Sequence, residues 1–260
     1  MVFPLGDDNS DRTAFPIVNL LLIAANVFVF FVLQGAGSNE KFTLAFSTVP
    51  AEIISGQDLV TESRVEEVDT EIGRQQVVVP GLQQTPIPVY LTLLTAIFMH
   101  GSLAHLGGNL WFLWIFGDNI ENDLGIRRYI VFYLLCGLVA GLVHVMFSQD
   151  AVSRVTPCLG ASGAISGVMG AYLVLHPHRT VTVLMFRFVT DVPGYVAVGL
   201  WFLFQIVSSI GVFGGMESSV AYGAHIGGFV AGAILARPFT IGRSFAPEPQ
   251  AWRQVHRRGF

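Results

Sequence analysis

Charge is scarce in this sequence. Only 12% of its 260 residues are charged and 52% are hydrophobic, whereas soluble domains carry about 25% charged residues. With a mean hydropathy of +0.60, this excludes an ordinary soluble domain and points to a protein that lives in a bilayer. Cysteine is nearly absent as well. Cys136 and Cys158 sit in or beside apolar runs, so no disulfide framework is suggested. A basic leader is missing: the opening "MVFPLGDDNSDRTAF" is acidic, and no small-residue cleavage site follows, so the first apolar run is expected to be retained. Internal repeats and charged residues at mid-span, which a transporter would show, are not evident. The net charge of −4 says little about partners, and no nucleic-acid partner is expected.

What the sequence does have is long apolar runs. Six of them fall at roughly 15–35, 102–119, 128–147, 158–175, 192–213 and 219–236, and a helical crossing needs about 20 such residues. Runs this long and continuous are unlike barrel strands. The expected fold class is an all-α polytopic membrane protein, a six-helix bundle. Ten of the fourteen basic residues fall on the side of the termini and four (Lys41, Arg64, Arg74 and Arg154) on the other. The positive-inside bias therefore puts both termini in the cytoplasm, and a bacterial inner membrane is the expected setting.

The chain divides into a short cytoplasmic segment (1–14), a helical domain (15–236) and a basic cytoplasmic tail (237–260). A long acidic loop, 36–100, faces outward. Its last part, "VYLTLLTAIFMHG", reads as an interfacial segment before a second span capped by Ser102; a span beginning near Leu91 is the competing reading. The piece "VTVLMFRFV" (181–189) is too short to cross and is expected to rest at the cytoplasmic interface.

The fourth span, within "CLGASGAISGVMGAYLV", carries Gly160, Gly163, Gly167 and Gly170 on one face, and the sixth carries Ala224, Gly228 and Gly232. An interior glycine costs about 1 kcal/mol against alanine. Small residues at this spacing let two membrane helices approach closely, and plain packing would account for either face alone. Beside these faces, however, lie Ser162 and His225. A lone histidine in a membrane helix is usually a satisfied packing residue, but a serine and a histidine on two touching helices also make a nucleophile and its base.

The second span adds His100, His105 and Asn109. His105 and Asn109 are one turn apart on one face and can donate hydrogen bonds to a developing oxyanion. A metal site is the rival, but no Asp, Glu or Cys completes a ligand set at helical spacing, and no metal or other cofactor is expected. His105, Ser162 and His225 all fall within roughly 10 Å of the outer ends of their spans, a depth that water could reach.

In these motifs the sequence resembles the rhomboid family of intramembrane serine proteases. The Gly-x-Ser-Gly motif is Gly160-Ala161-Ser162-Gly163, the His-x4-His-x3-Asn motif is His100, His105 and Asn109, and the Ala-His-x2-Gly motif is Ala224-His225 with Gly228. The resemblance covers about 15–236 and implies a six-span rhomboid bundle. It implies that Ser162 is the nucleophile and His225 its base, and that His105, Asn109 and the Ser162 main-chain N–H form the oxyanion hole. His100 would hold the loop. Substrates would be other transmembrane proteins.

Two positions depart from the pattern. Ser166 stands where many relatives carry an aromatic residue stacked on the catalytic histidine, and Leu91 and Thr92 stand where a Trp-Arg pair is often found. Ser166 is a candidate to hydrogen-bond His225 in place of the aromatic ring. No acidic third member is visible, so the arrangement reads as a dyad. The alternative is a catalytically inactive relative that binds or escorts client membrane proteins.

Overall fold

A computed structural model describes residues 2–70, 73–209 and 222–243. In chain order its elements are β1 (Val2–Asp7), α1 (Ile17–Phe28), α2 (Glu40–Phe46), α3 (Pro50–Ser55), β2 (Arg64–Thr70), β3 (Gly73–Val79), α4 (Thr92–Thr95), α5 (Leu103–Leu124) and α6 (Ile126–Phe147). There follow α7 (Ala151–Val155), α8 (Ser162–Leu175), β4 (Thr180–Met185), β5 (Phe188–Pro193), α9 (Gly194–Ser209) and α10 (Tyr222–Thr240). Within the described residues, each of the six apolar runs contains a helix. The chain is mostly helical but not all-α: β1, β4 and β5 form an antiparallel sheet, and β2 pairs with β3. The piece expected to lie at the interface as a short apolar segment is the β4–β5 hairpin.

Among the described residues α6 alone is long and apolar enough to cross a membrane unaided. The segment before α5 is helical but bends from it by 78°, which separates it from α5 rather than extending that helix to Leu91. α8 has 14 residues, roughly 21 Å at 1.5 Å per residue, short of a hydrocarbon core of about 30 Å. It begins at Ser162, not at 158; Cys158 instead bridges Thr48 in the loop before it. α10 runs past the expected boundary at 236 to Thr240. The expected end of the fifth span at 213, the start of the sixth at 219 and the tail beyond 243 lie outside the described residues.

The central packing is α8 between α10, α6 and α5. Three glycines of this contact leave no space for a side chain. A β-carbon on Gly228 would collide with the carbonyl oxygen of Gly163, one on Gly232 with that of Gly167, and one on Gly170 with that of Phe229. Around this contact sits a buried aromatic core in which Phe116 and Tyr172 meet edge to face at 4.9 Å. α1 docks on α5 and α6 through polar groups: the Asn19 amide donates to the Leu113 carbonyl of α5 at 3.0 Å, and Tyr129 of α6 donates its hydroxyl to Asn19 at 2.8 Å.

The end where α5, α8 and α10 finish is closed by an ionic latch. Glu121 accepts the N–H groups of Val18 and Asn19 at 2.9 and 2.7 Å, capping α1 from another helix and satisfying donors that a helix start leaves open. Arg12 pairs with Asp118 at 2.7 Å, and buried Arg179 binds Asp11 and Asn119. Arg243 caps α5 through the Asp123 carbonyl at 2.9 Å. The Asp7 carboxylate, at the end of β1, accepts from Asn119 and from Tyr172 of α8, both at 2.7 Å. Burial pushes Asp7 up from 3.8 to about 7; Tyr172 and Arg179 oppose the rise, and Asp118 and Asp8 reinforce it.

Two predictions follow from these contacts. Gly228→Ala places its β-carbon on backbone that cannot rotate away, so the cost falls at the upper end of the about 1–3 kcal/mol typical of overpacking. Gly199 of α9 has open space around it, and Gly199→Ala is expected to melt at or above the parent's temperature, since alanine is favoured over glycine by about 1 kcal/mol inside a helix; equal melting temperatures for the two variants would contradict the close contact. At Asp7 the raised value means stability that is fully present below pH 3.8 and lost as pH rises through about 7. Allowing for partial exposure, the parent is expected to lose about 1–2 kcal/mol more than Asp7→Asn between about pH 5.5 and 8.5. Parallel pH–stability curves would show that Asp7 does not titrate in the latch.

Candidate active site

The expected site residues are delivered by three helix starts and one loop. Ser102 caps α5, its hydroxyl accepting the N–H of His105 at 3.1 Å, so the expected cap is present and His105 lies in the first turn. Asn109 follows one turn later, buried. Ser162 is the first residue of α8, and Ala161, which precedes it, supplies no side-chain cap. The N–H groups of that first turn therefore have no helical partner and point their positive ends toward whatever lies in front. His225 stands on the first turn of α10 as described, also buried.

These residues come together. A cavity of about 280 Å³ is lined by His105, Asn109, Ser162, Ser166, Gln205 and His225, with Trp201, Phe112 and Met169 among its apolar walls. A second cavity of about 600 Å³ reaches Ser162 and His105 from the other side, over a floor of small residues that includes Gly137, Ala140, Gly163 and Ala224. Gly160 shapes the junction. Its φ of +135° suits glycine, and a β-carbon there would stand 2.9 Å from the His105 ring. The side-chain amide nitrogen of Asn109 is buried with no hydrogen-bond partner among the described residues.

His100 is fully buried in the loop before α5. Its N–H donates to Gln34 at 2.9 Å, and its carbonyl accepts from the same Gln34 amide at 2.9 Å. Its ring meets the His105 ring edge-on at 5.2 Å. Gln34 thus ties the end of α1 to the start of the site, a partner that nothing local in the sequence reveals.

Ser166 does not bond His225. Its hydroxyl donates to the Ser162 carbonyl one turn back at 2.6 Å. The Nδ1 of His225 instead faces the side-chain oxygen of Gln205 on α9 at 2.9 Å, and Trp201, one turn earlier on α9, lies 6.2 Å from the imidazole at 37°. Sequence reasoning missed Gln205. The signal was available, because a glutamine inside the apolar run "GLWFLFQIV" is a polar group that hydrocarbon penalises unless it has a partner. Among the described residues no three His, Cys, Asp or Glu side chains gather as a metal would need.

A polar cavity at three helix starts, walled by a bundle this apolar, defines the class of chain. Residues 88–241 match the Rhomboid domain family. This chain belongs to the rhomboid family, a family of membrane proteins. All the residues named above from His100 to His225 fall inside the matched segment, whereas residues 15–87 of the expected helical domain lie before it.

Among similar proteins, Rhomboid protein 1, mitochondrial, of Saccharomyces cerevisiae is 30% identical over 59% of this chain and 43% of its own length. The Presenilin-associated rhomboid-like protein, mitochondrial, of Mus musculus is 31% identical over 45% of this chain and 33% of its own. Rhomboid protease GluP of Bacillus subtilis is 26% identical over 86% of this chain and 36% of its own. The chain thus spans less than half the length of each of these relatives. Mitochondrial proteins stand beside a bacterial one, so they do not support the expected bacterial inner membrane.

Proposed function

We propose that this chain is an intramembrane serine protease that hydrolyses peptide bonds in or near the transmembrane segments of other membrane proteins. The observation that carries this reading is the convergence of Ser162, His225, His105 and Asn109 on one cavity, with the Asn109 amide donor unspent. A buried donor without a partner costs about 1–3 kcal/mol. An oxyanion in the cavity would take that hydrogen bond, which makes the donor selective for a charge that appears only in the transition state.

In this reading Ser162 Oγ attacks the scissile carbonyl as His225 takes its proton. Negative charge on the former carbonyl oxygen is met by Asn109, His105 and the uncapped N–H groups at the start of α8. His225 then returns the proton to the leaving amine as the C–N bond breaks. Water hydrolyses the acyl-enzyme by the same route. The six helices cross the bilayer as six spans with both termini in the cytoplasm, as the arginine bias suggests. The short α8 then starts within the membrane, and the 600 Å³ cavity carries water to a serine at that depth.

Labelling with a serine-directed fluorophosphonate probe tests this. The parent is expected to label and to cut a model single-span substrate, and Ser162→Ala to do neither while keeping its fold. Asn109→Ala is expected to lower turnover about 10²- to 10³-fold, with a smaller effect on apparent affinity. Labelling that survives Ser162→Ala would remove it as the nucleophile. A folded parent that neither labels nor cuts, yet retains a single-span client, would favour the inactive, client-binding reading.

A further inference from the structure

We infer that Gln205 is the positioning residue of the catalytic histidine: its amide oxygen fixes the tautomer and tilt of His225. The inference rests on the protease reading above. A side-chain amide oxygen can only accept a hydrogen bond. The contact of 2.9 Å to Nδ1 therefore places a hydrogen on Nδ1 and leaves the Nε2 lone pair as the ring's only base. That is the nitrogen required for a serine hydroxyl in the same cavity. The wrong tautomer costs a serine protease about 10⁴ in turnover when the geometry is otherwise intact, so whichever group sets the tautomer matters.

Among the described residues no other side chain is hydrogen-bonded to His225 Nδ1. Ser166, at the position expected to support the imidazole, has its hydroxyl committed to the Ser162 carbonyl. Gln205 is itself buried, so its oxygen needs a donor as much as the ring needs an acceptor. Trp201 and Gln205 are four residues apart on α9 and present one face to α10. The indole covers the ring while stacking on Phe229 at 6.4 Å, and the amide holds its edge.

Through the reaction Gln205 neither gains nor loses a proton. Nε2 takes the Ser162 proton as the Oγ–C bond forms, and the imidazolium keeps its Nδ1–H on the amide oxygen. Nε2 then gives the proton to the amine as the C–N bond breaks.

The experiment combines fluorophosphonate labelling kinetics with ¹⁵N spectra of histidine-labelled protein in detergent. In the parent, the His225 signals, assigned by their loss in His225→Ala, are expected to show a protonated Nδ1. Gln205→Leu is expected to lower the maximal labelling rate by about 10²-fold, the lower end of what general-base catalysis contributes, with probe affinity within about twofold. Gln205→Glu restores an acceptor at the same reach once its carboxyl ionises, and its rate is expected to recover to within about threefold of the parent as pH is raised.

An Nε2-protonated ring in the parent would overturn the inference, and so would a Gln205→Leu protein that labels at the parent's rate. An equal loss in the leucine and glutamate variants would also overturn it, because packing alone explains that. A parent that does not label at all sinks the protease reading instead, while the tautomer spectrum still decides whether Gln205 sets the ring.

Discussion

Where α8 meets α10, Gly170, Gly228 and Gly232 leave no room for a β-carbon. Lipid tails are as apolar as leucine, so burying apolar surface gives two membrane helices little reason to associate, and close packing must do it instead. Gly228 and Gly232 lie against the backbone of Gly163 and Gly167, Gly170 lies against that of Phe229, and Gly163 and Gly167 in turn make room for Ala140 and Cys136 of α6; the cost in helix propensity is offset by these contacts. Register follows from it. Gly163 and Gly228 touch, Ser162 directly precedes one, and His225 comes one turn before the other. The contact that holds the bundle together also sets the level at which the proposed nucleophile and base face each other. A contact between backbones has no rotamers with which to absorb error, so it specifies position as well as proximity.

The two ends of the bundle spend their polar residues differently. Where α5, α8 and α10 finish, charges are paired: Arg12 with Asp118, Arg179 with Asp11, and the Glu121 carboxylate with the first N–H groups of α1. Breaking one side of such a pair strands a buried charge, so the arrangement is rigid even where its net contribution is small. Through Tyr172 and Asp7 this latch grips the last turns of α8. Where the same helices begin, the Asn109 amide and the uncapped start of α8 have no partner among the described residues. One end is built around paired charges, and the other keeps hydrogen-bond donors for a reacting group.

Much of this was legible in the residues. The six apolar runs contain helices, Ser102 is a cap, and the glycine faces meet as their spacing implies. His105, Asn109, Ser162 and His225, from the second, fourth and sixth runs, line one cavity. The strands were not legible, for a physical reason. β1, "VFPLGD", contains proline and glycine and has no strand signal of its own; it pairs with β4, far along the chain. "VTVLMFRFV" alternates β-branched residues as a strand does, but in so apolar a chain it reads first as a membrane segment. The start of α8 moved from 158 to Ser162 because Cys158 bonds Thr48, a tertiary contact that overrides an apolar run. Gln34 and Gln205 went unnoticed because each is defined by a partner on another element.

Gln205 also bears on why no acidic residue accompanies the proposed dyad among the described residues. A carboxylate beside an imidazole orients it and stabilises the imidazolium, but it must be ionised to do the second job. Inside a bundle surrounded by lipid, an ion that is unpaired in the resting state is costly to keep, because histidine is neutral until the serine proton arrives. An amide gives the same direction of hydrogen bond with no charge to desolvate. It forgoes some stabilisation of the imidazolium, and the uncapped N–H groups of α8 and the Asn109 amide, which act on the oxyanion instead, are the part of the site able to make up that loss. The scarcity of charge in the sequence and the form of its proposed catalytic group are then consequences of the same solvent.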